Sequence, residues 1–122
     1  MMGGDIYRAV IEMKMPGLNE YTNACRSNRF EAANLKKATE AEIMMYLKRL
    51  PTFERPVYIH FRWIERDRRR DCDNIAFAKK FILDAMVKRG ILKDDGRRYV
   101  RGFTDDFECG NKPMVIMDIE EA

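Results

Sequence analysis

Residues 57–90 read VYIHFRWIERDRRRDCDNIAFAKKFILDAMVKRG, and this stretch decides the fold. In residues 57–64, β-branched and aromatic side chains alternate with less apolar ones, which is typical of a half-buried β-strand. In residues 75–90 the apolar positions recur at helical spacing, and Gly90 suits the left-handed position that closes a helix. The stretch therefore predicts a strand and a helix joined by a charged segment.

The flanking sequence predicts further strands and one more helix. In chain order the predicted elements are a strand at 6–15, a polar loop at 16–30, an amphipathic helix at 32–48, the central strand and helix, and strands at 99–103 and 114–119. We find no internal repeat or low-complexity segment. This order predicts an α+β fold over residues 1–122, a single domain in which two main helices pack on one mixed β-sheet.

Composition excludes several classes of protein. Hydrophobic residues make up 46% of the chain and aromatic residues 11%, which is too apolar for intrinsic disorder. Cys25, Cys72 and Cys109 are widely spaced and odd in number, so neither a disulfide framework nor a structural zinc site is indicated. We find no signal-peptide pattern and no apolar run long enough to span a membrane, and we expect a soluble, cytoplasmic protein.

Positive charge is concentrated around the central stretch. The whole chain has a net charge of +3, but residues 62–101 contain thirteen Lys or Arg against seven Asp or Glu, a local net charge of +6. Such a patch favours a phosphate-rich partner, which it would bind in a salt-dependent way. A solvated charged surface explains the same distribution equally well.

Asp71 and Asp73 are the first candidate functional residues. Two residues apart on an extended backbone, their carboxylates would point to the same side and could share a hard divalent cation such as Mg²⁺. The pair Asp94-Asp95 offers a third carboxylate beyond the following helix. The alternative is structural: Asp73 or Asn74 caps the helix, and the carboxylates pair with the arginines before them. Like-charge crowding favours the functional interpretation, since carboxylates held together need a compensating cation or proton.

Lys79 and Lys80 lie on the predicted helix that begins at this motif. Lys80 returns to nearly the same helical face as Asp73 and could approach a phosphate. The simpler explanation is an ion pair between Lys80 and Asp84, four residues later on the helix surface. His60, a lone histidine in a strand, is interpreted as a structural residue.

Residues 68–96 resemble the active-site region of the RusA family of Holliday junction resolvases, especially its prophage-type members. The likeness rests on RRRDCDN and on KKFILDAMVKRGILKDDG, and a weaker likeness extends over nearly the whole chain. It implies a RusA-like fold and a homodimer that binds four-way DNA junctions and nicks two opposed strands in recombination and repair. The implied cofactor is Mg²⁺, with Mn²⁺ as a substitute, and neither a nucleotide cofactor nor a membrane is implied.

Carried over residue by residue, the resemblance implies that Asp71, Asp73 and Asp95 are metal ligands and that Lys80 is the lysine required for chemistry. These four are the expected catalytic residues. The expected contacts to the DNA backbone come from basic residues near the motif and on the early loop, namely Arg26, Arg29, Arg66, Arg68, Arg69, Arg70 and Lys79.

The chain departs from the family pattern at two positions. Phe77 stands where shorter family members have the lysine, so the choice between Lys79 and Lys80 stays open. Arg97 stands where similar sequences have an aromatic residue. Three other functions remain as alternatives: a DNA-binding module without catalysis, a nuclease that cuts branched DNA more broadly, and a structural or protein-interaction role.

Overall fold

The computed structural model describes residues 5–122. The elements follow one another as β1 (Ile6–Ile11), α1 (Leu18–Ser27), α2 (Arg29–Met45), β2 (Val57–Glu65), α3 (Cys72–Ala76), α4 (Lys79–Lys88), β3 (Val100–Cys109) and β4 (Met114–Glu121). The strands form one sheet in the order β1-β4-β2-β3. β4 is antiparallel to both of its neighbours, whereas β2 and β3 are parallel, so the predicted α+β fold with a mixed sheet is confirmed.

The core lies between the sheet and the helices. The alternating apolar residues of β2, Val57, Ile59, Phe61 and Trp63, are all buried, as the sequence pattern predicted. They join one hydrophobic cluster with the buried residues of α4 and with Ile43 of α2. Full burial of each such side chain contributes about 1.5–3 kcal/mol, so this cluster is what holds α4 against the centre of the sheet.

The opposite face of the sheet is open and carries cross-strand polar pairs. Arg8 on β1 donates two hydrogen bonds to Asp118 on β4, at 2.7 and 2.9 Å. The hydrogen bond from Arg8 lowers the pKa of Asp118 below its ordinary value, although partial burial opposes the shift. His60 lies on this face between Thr104 and Glu120, at 2.8 and 2.9 Å. Both ring nitrogens of His60 are therefore paired across the sheet, which is consistent with a structural residue.

The predicted loop at 16–30 is wrong, because residues 18–27 form α1. The N-cap of α1 is Gly17, which has no side chain to cap the helix, and α1 has no buried residues. α1 is therefore stabilised by its contacts with other parts of the chain. One of them is the packing of Tyr21 against Phe77, with ring centroids 5.5 Å apart. Such long-range contacts leave a weak local signal.

The single helix predicted at 75–90 is two helices. α3 ends at Ala76 and α4 begins at Lys79, with Phe77 and Ala78 in a tight turn between them. Hydrogen bonds of the i→i−3 type span this turn, from Ala78 N–H to Ile75 and from Lys80 N–H to Phe77. The predicted end of the helix is confirmed, since Gly90 has a φ of 79°.

Two of the predicted strands differ from the observed ones by four residues or more. β1 ends at Ile11, four residues before the predicted end at 15, and β3 runs on to Cys109 instead of stopping at 103. β3 pairs with β2 along its length, so partner contacts extend it through a polar segment. Within residues 5–122, no helix is long and apolar enough to cross a membrane.

Candidate functional site

Asp71 and Asp73 lie at the N-terminus of α3. Asp71 is the N-cap residue, with extended backbone angles of φ −72° and ψ 158°, whereas Asp73 already belongs to the helix. The prediction that both stand on extended backbone is therefore wrong at Asp73. The chain turns here because the N–H of Ile75 bonds to the carbonyl of Asp71, at 3.0 Å, which places Ile75 in the core.

The two carboxylates are exposed and make few contacts within the protein. The side chain of Asp71 makes no capping hydrogen bond, and that of Asp73 accepts only the neighbouring N–H of Asn74. Two of the three preceding arginines pair with other acids: Arg69 with Asp67 at 3.7 Å and Arg70 with Glu65 at 2.8 Å. Within residues 5–122, neither carboxylate caps its helix through the side chain or pairs with these arginines, so the structural alternative is not observed.

Asn74 and Arg70 instead fix the early part of the chain against the motif. Oδ1 of Asn74 accepts a hydrogen bond from the backbone N–H of Asn19, at 3.0 Å, and so caps α1 from a distant part of the sequence. Arg70 donates to the carbonyl of Met15 at 3.1 Å. A Cβ on Gly17 would lie 2.5 Å from Asn74 Oδ1 and 2.9 Å from Arg70, so a larger residue would force these two side chains to shift.

The two adjacent lysines have different surroundings. Lys79 is half-buried, 2.6 Å from Oδ2 of Asp105 and 4.7 Å from the ring centroid of Phe103. The indole N–H of Trp63 donates to the other carboxylate oxygen of Asp105 at 2.9 Å. Lys79 is therefore part of a packed polar cluster between α4 and β3.

Lys80 is 59% exposed and lies beside the second acidic pair. Its Nζ is 3.8 Å from Oδ2 of Asp95 and 3.5 Å from Oδ1 of Asp84. Asp94, by contrast, stabilises the turn at this point, since its Oδ1 accepts a hydrogen bond from the N–H of Gly96 at 2.7 Å. The structure thus brings Lys80 and Asp95 together. Lys80 also forms the ion pair with Asp84 that its spacing on the helix predicted.

The chemistry of these acids fits a hard cation, although the three proposed ligands do not assemble. Asp71 and Asp73 offer exposed oxygen atoms, the donors that Mg²⁺ accepts while keeping several of its waters. Within residues 5–122, however, no three His, Cys, Asp or Glu side chains lie together in a group that could hold a metal ion. Convergence of Asp95 with Asp71 and Asp73 stays a prediction.

Most of the basic residues predicted to contact DNA are accessible. Arg70 and Lys79 differ from the rest, because each is paired with an acid and only 17% and 19% of their side chains are exposed. A cleft of 370 Å³ lies beside the motif, between the arginine-rich segment and β3, and Arg68, Cys72 and Phe107 contribute to its walls. The exposed members of the predicted set are Arg26, Arg29, Arg66, Arg68 and Arg69.

Sequence reasoning missed three residues that shape this region. Asp105 was not singled out, although a buried Trp63 indole needs an acceptor and an acid on a neighbouring strand can supply one. Asn74 was considered only as a cap of its own helix. Lys36, which lies 3.1 Å from Asp84, had no local signal, because the contact joins two helices.

No family model matches this chain, and no curated protein matches it at a significant level.

Proposed function

We propose that this chain is a Mg²⁺-dependent endonuclease that cuts branched DNA, with the four-way junction as its substrate. The observation that carries the proposal is the exposure of Asp71 and Asp73 and their lack of arginine partners. Both are exposed at the start of α3, and neither is paired with the arginines beside it. Exposed carboxylates that have no arginine partner, next to a run of arginines, are free to bind a cation.

The chemistry would be divided between the acids and the lysine. Asp71 and Asp73, with Asp95, would hold Mg²⁺, which when bound makes water more acidic and offsets negative charge on phosphate. Lys80 would stabilise charge that develops on the phosphate oxygens, since its ammonium group is exposed and faces Asp95. Lys79 is already engaged with Asp105, which favours Lys80 for this role.

The basic residues around the motif would hold the DNA backbone without reading its sequence. Arg66, Arg68 and Arg69 lie between β2 and the acids and are exposed, so they are available to contact phosphates. Arg26 and Arg29 lie at the junction of α1 and α2, and α1 is tied to the motif through Asn74. We further propose a homodimer, since a two-fold pair would present one site to each of two opposed strands.

The test is cleavage of labelled DNA with and without Mg²⁺ or Mn²⁺. The substrates are a four-way junction, a fork, a flap and a linear duplex of matching sequence. We expect metal-dependent nicks in two opposed strands of the junction and none in the duplex. Equal cutting of forks and flaps would instead favour a broader branched-DNA nuclease, and binding without any cutting would favour a DNA-binding module.

A further inference from the structure

Lys80 belongs to a ladder of alternating charges that crosses from α4 to α2. Its Nζ lies 3.5 Å from Oδ1 of Asp84 and 3.8 Å from Oδ2 of Asp95. The second carboxylate oxygen of Asp84 lies 3.1 Å from the Nζ of Lys36, on α2. Asp84 therefore stands between two lysines, one of them the proposed catalytic group.

The inner end of this ladder is Glu40, whose side chain is 1% exposed. One carboxylate oxygen of Glu40 accepts a hydrogen bond from Lys88. The other has no hydrogen-bond partner within residues 5–122 and lies 3.8 Å from Lys36. A buried carboxylate is stabilised by nearby positive charge, so Glu40 attracts Lys36 as well as Lys88.

Lys36 is thus drawn toward two acids at once. The hydrogen bond to Asp84 is the main cause that raises the pKa of Lys36 above its ordinary value, and partial burial opposes it. Lys36 remains charged at neutral pH and holds Asp84 from the side of α2. The carboxylate of Asp84 is consequently fixed from one side while it faces Lys80 on the other.

We propose that Asp84 is the positioning residue for Lys80, an inference that rests on the nuclease function proposed above. An i,i+4 ion pair on an open helix surface is ordinarily weak because both side chains are mobile. Asp84 is only 18% exposed and is held by Lys36, so it offers Lys80 a fixed partner. Restricting Lys80 between Asp84 and Asp95 lowers the entropic cost of placing its ammonium group at a phosphate.

The first test is the steady-state kinetics of junction cleavage by Asp84→Asn, which keeps the size of the side chain and removes its charge. We expect kcat to fall about tenfold with KM unchanged, because positioning of Lys80 is lost and DNA contacts are kept. Asp118→Asn is the matched control: its carboxylate is 21% exposed and paired with Arg8, but lies on the open face of the sheet. We expect this control to cut at the wild-type rate.

A double-mutant cycle distinguishes positioning from general stabilisation. In a Lys80→Ala background, Asp84→Asn should cause no further loss, because Asp84 acts through Lys80. Asp84→Glu should restore most of the activity, since glutamate retains the charge. An unchanged kcat in Asp84→Asn, or an equal loss with and without Lys80, would overturn the proposal.

A readout that does not depend on cleavage keeps the two proposals separate. The ¹⁵Nζ resonance of Lys80, assigned with a Lys80→Arg variant, should shift in Asp84→Asn and stay in place in Asp118→Asn. Should Asp84→Asn fail to fold, Lys36→Gln loosens the same carboxylate and should produce a smaller shift. A wild-type protein that cuts no DNA contradicts the nuclease function, whereas an unmoved Lys80 resonance contradicts the positioning role.

Discussion

Oδ1 of Asn74 accepts a hydrogen bond from the backbone N–H of Asn19, 3.0 Å away and on a different helix. This contact helps to join α1 to the segment that supplies Asp71 and Asp73. Gly17 and Arg70 complete the junction, since Arg70 bonds to the carbonyl of Met15 and Gly17 leaves room for both side chains. The position of α1 therefore depends on the same short segment as the candidate site.

Asn74→Ala should destabilise α1, because the helix loses an N-terminal cap that its own sequence does not provide. A lost cap of this kind costs about 1 kcal/mol. Asn74→Asp is the control, since it retains an acceptor oxygen. Amide hydrogen exchange should become faster across Leu18–Ser27 in the alanine variant and remain near wild type in the aspartate variant. Equal protection of α1 in both variants would contradict the capping role.

Gly17→Ala should be destabilising for a steric reason. The new Cβ would meet the side chain of Asn74 at 2.5 Å, so the polar junction has to move apart. We expect a loss of about 1–3 kcal/mol in the free energy of unfolding, measured by urea denaturation. At Gly102 an added Cβ meets Tyr58 at an ordinary 3.4 Å, so Gly102→Ala should cost less. A larger loss at Gly102 would refute this account of Gly17.

Lys79 and Lys80 should separate into a structural and a catalytic residue. Lys79→Gln leaves the half-buried Asp105 without its cation and should lower the free energy of unfolding by about 1–3 kcal/mol. Lys80→Gln alters an exposed side chain and should cost under about 0.5 kcal/mol, yet it should slow cleavage strongly. Thermal denaturation and single-turnover cleavage of both variants test this division. The reverse pattern would assign the chemistry to Lys79.

The Arg8–Asp118 pair should make stability depend on pH at the acid end. Because Arg8 lowers the pKa of Asp118, the pair stabilises the fold above the ordinary carboxyl range and loses this effect as pH falls through the lowered pKa. Arg8 is well exposed, so solvent screening keeps this contribution small. In urea titrations, the free energy of unfolding of wild type should exceed that of Asp118→Asn at pH 7, and the difference should shrink as pH falls below the ordinary carboxyl range. A constant difference would exclude this ionic contribution.

The central strand and the closing glycine were predictable because their signals are local. Alternation along β2 and the left-handed Gly90 both follow from rules that act within a few residues. α1 was missed because its cap is supplied by Asn74, far away in sequence. The length of β3 was underestimated because pairing with β2 holds its polar half in place.

Candidate residues for the site could be named from the sequence, but their geometry could not be predicted from it. The spacing of Asp71 and Asp73 predicted an extended backbone with both side chains on the same side. In the structure, the helical turn that buries Ile75 includes Asp73. The contact between Lys80 and Asp95 is consistent with the proposed site, whereas the pairing of Lys36 with Asp84 required the packing of two helices. Such pairings depend on how helices and strands pack against one another, and a single sequence contains little information about that packing.

The most direct test of the central claim compares wild type with Asp71→Asn on one labelled four-way junction. Binding is measured by gel shift without Mg²⁺, and single-turnover cleavage is then started by adding it. We expect the variant to bind as tightly as wild type or more tightly, since a negative charge near phosphates is removed, and to cut at least about 100-fold more slowly. Equal cleavage by the two proteins, or parallel loss of binding and cutting, would contradict the claim that Asp71 serves the reaction.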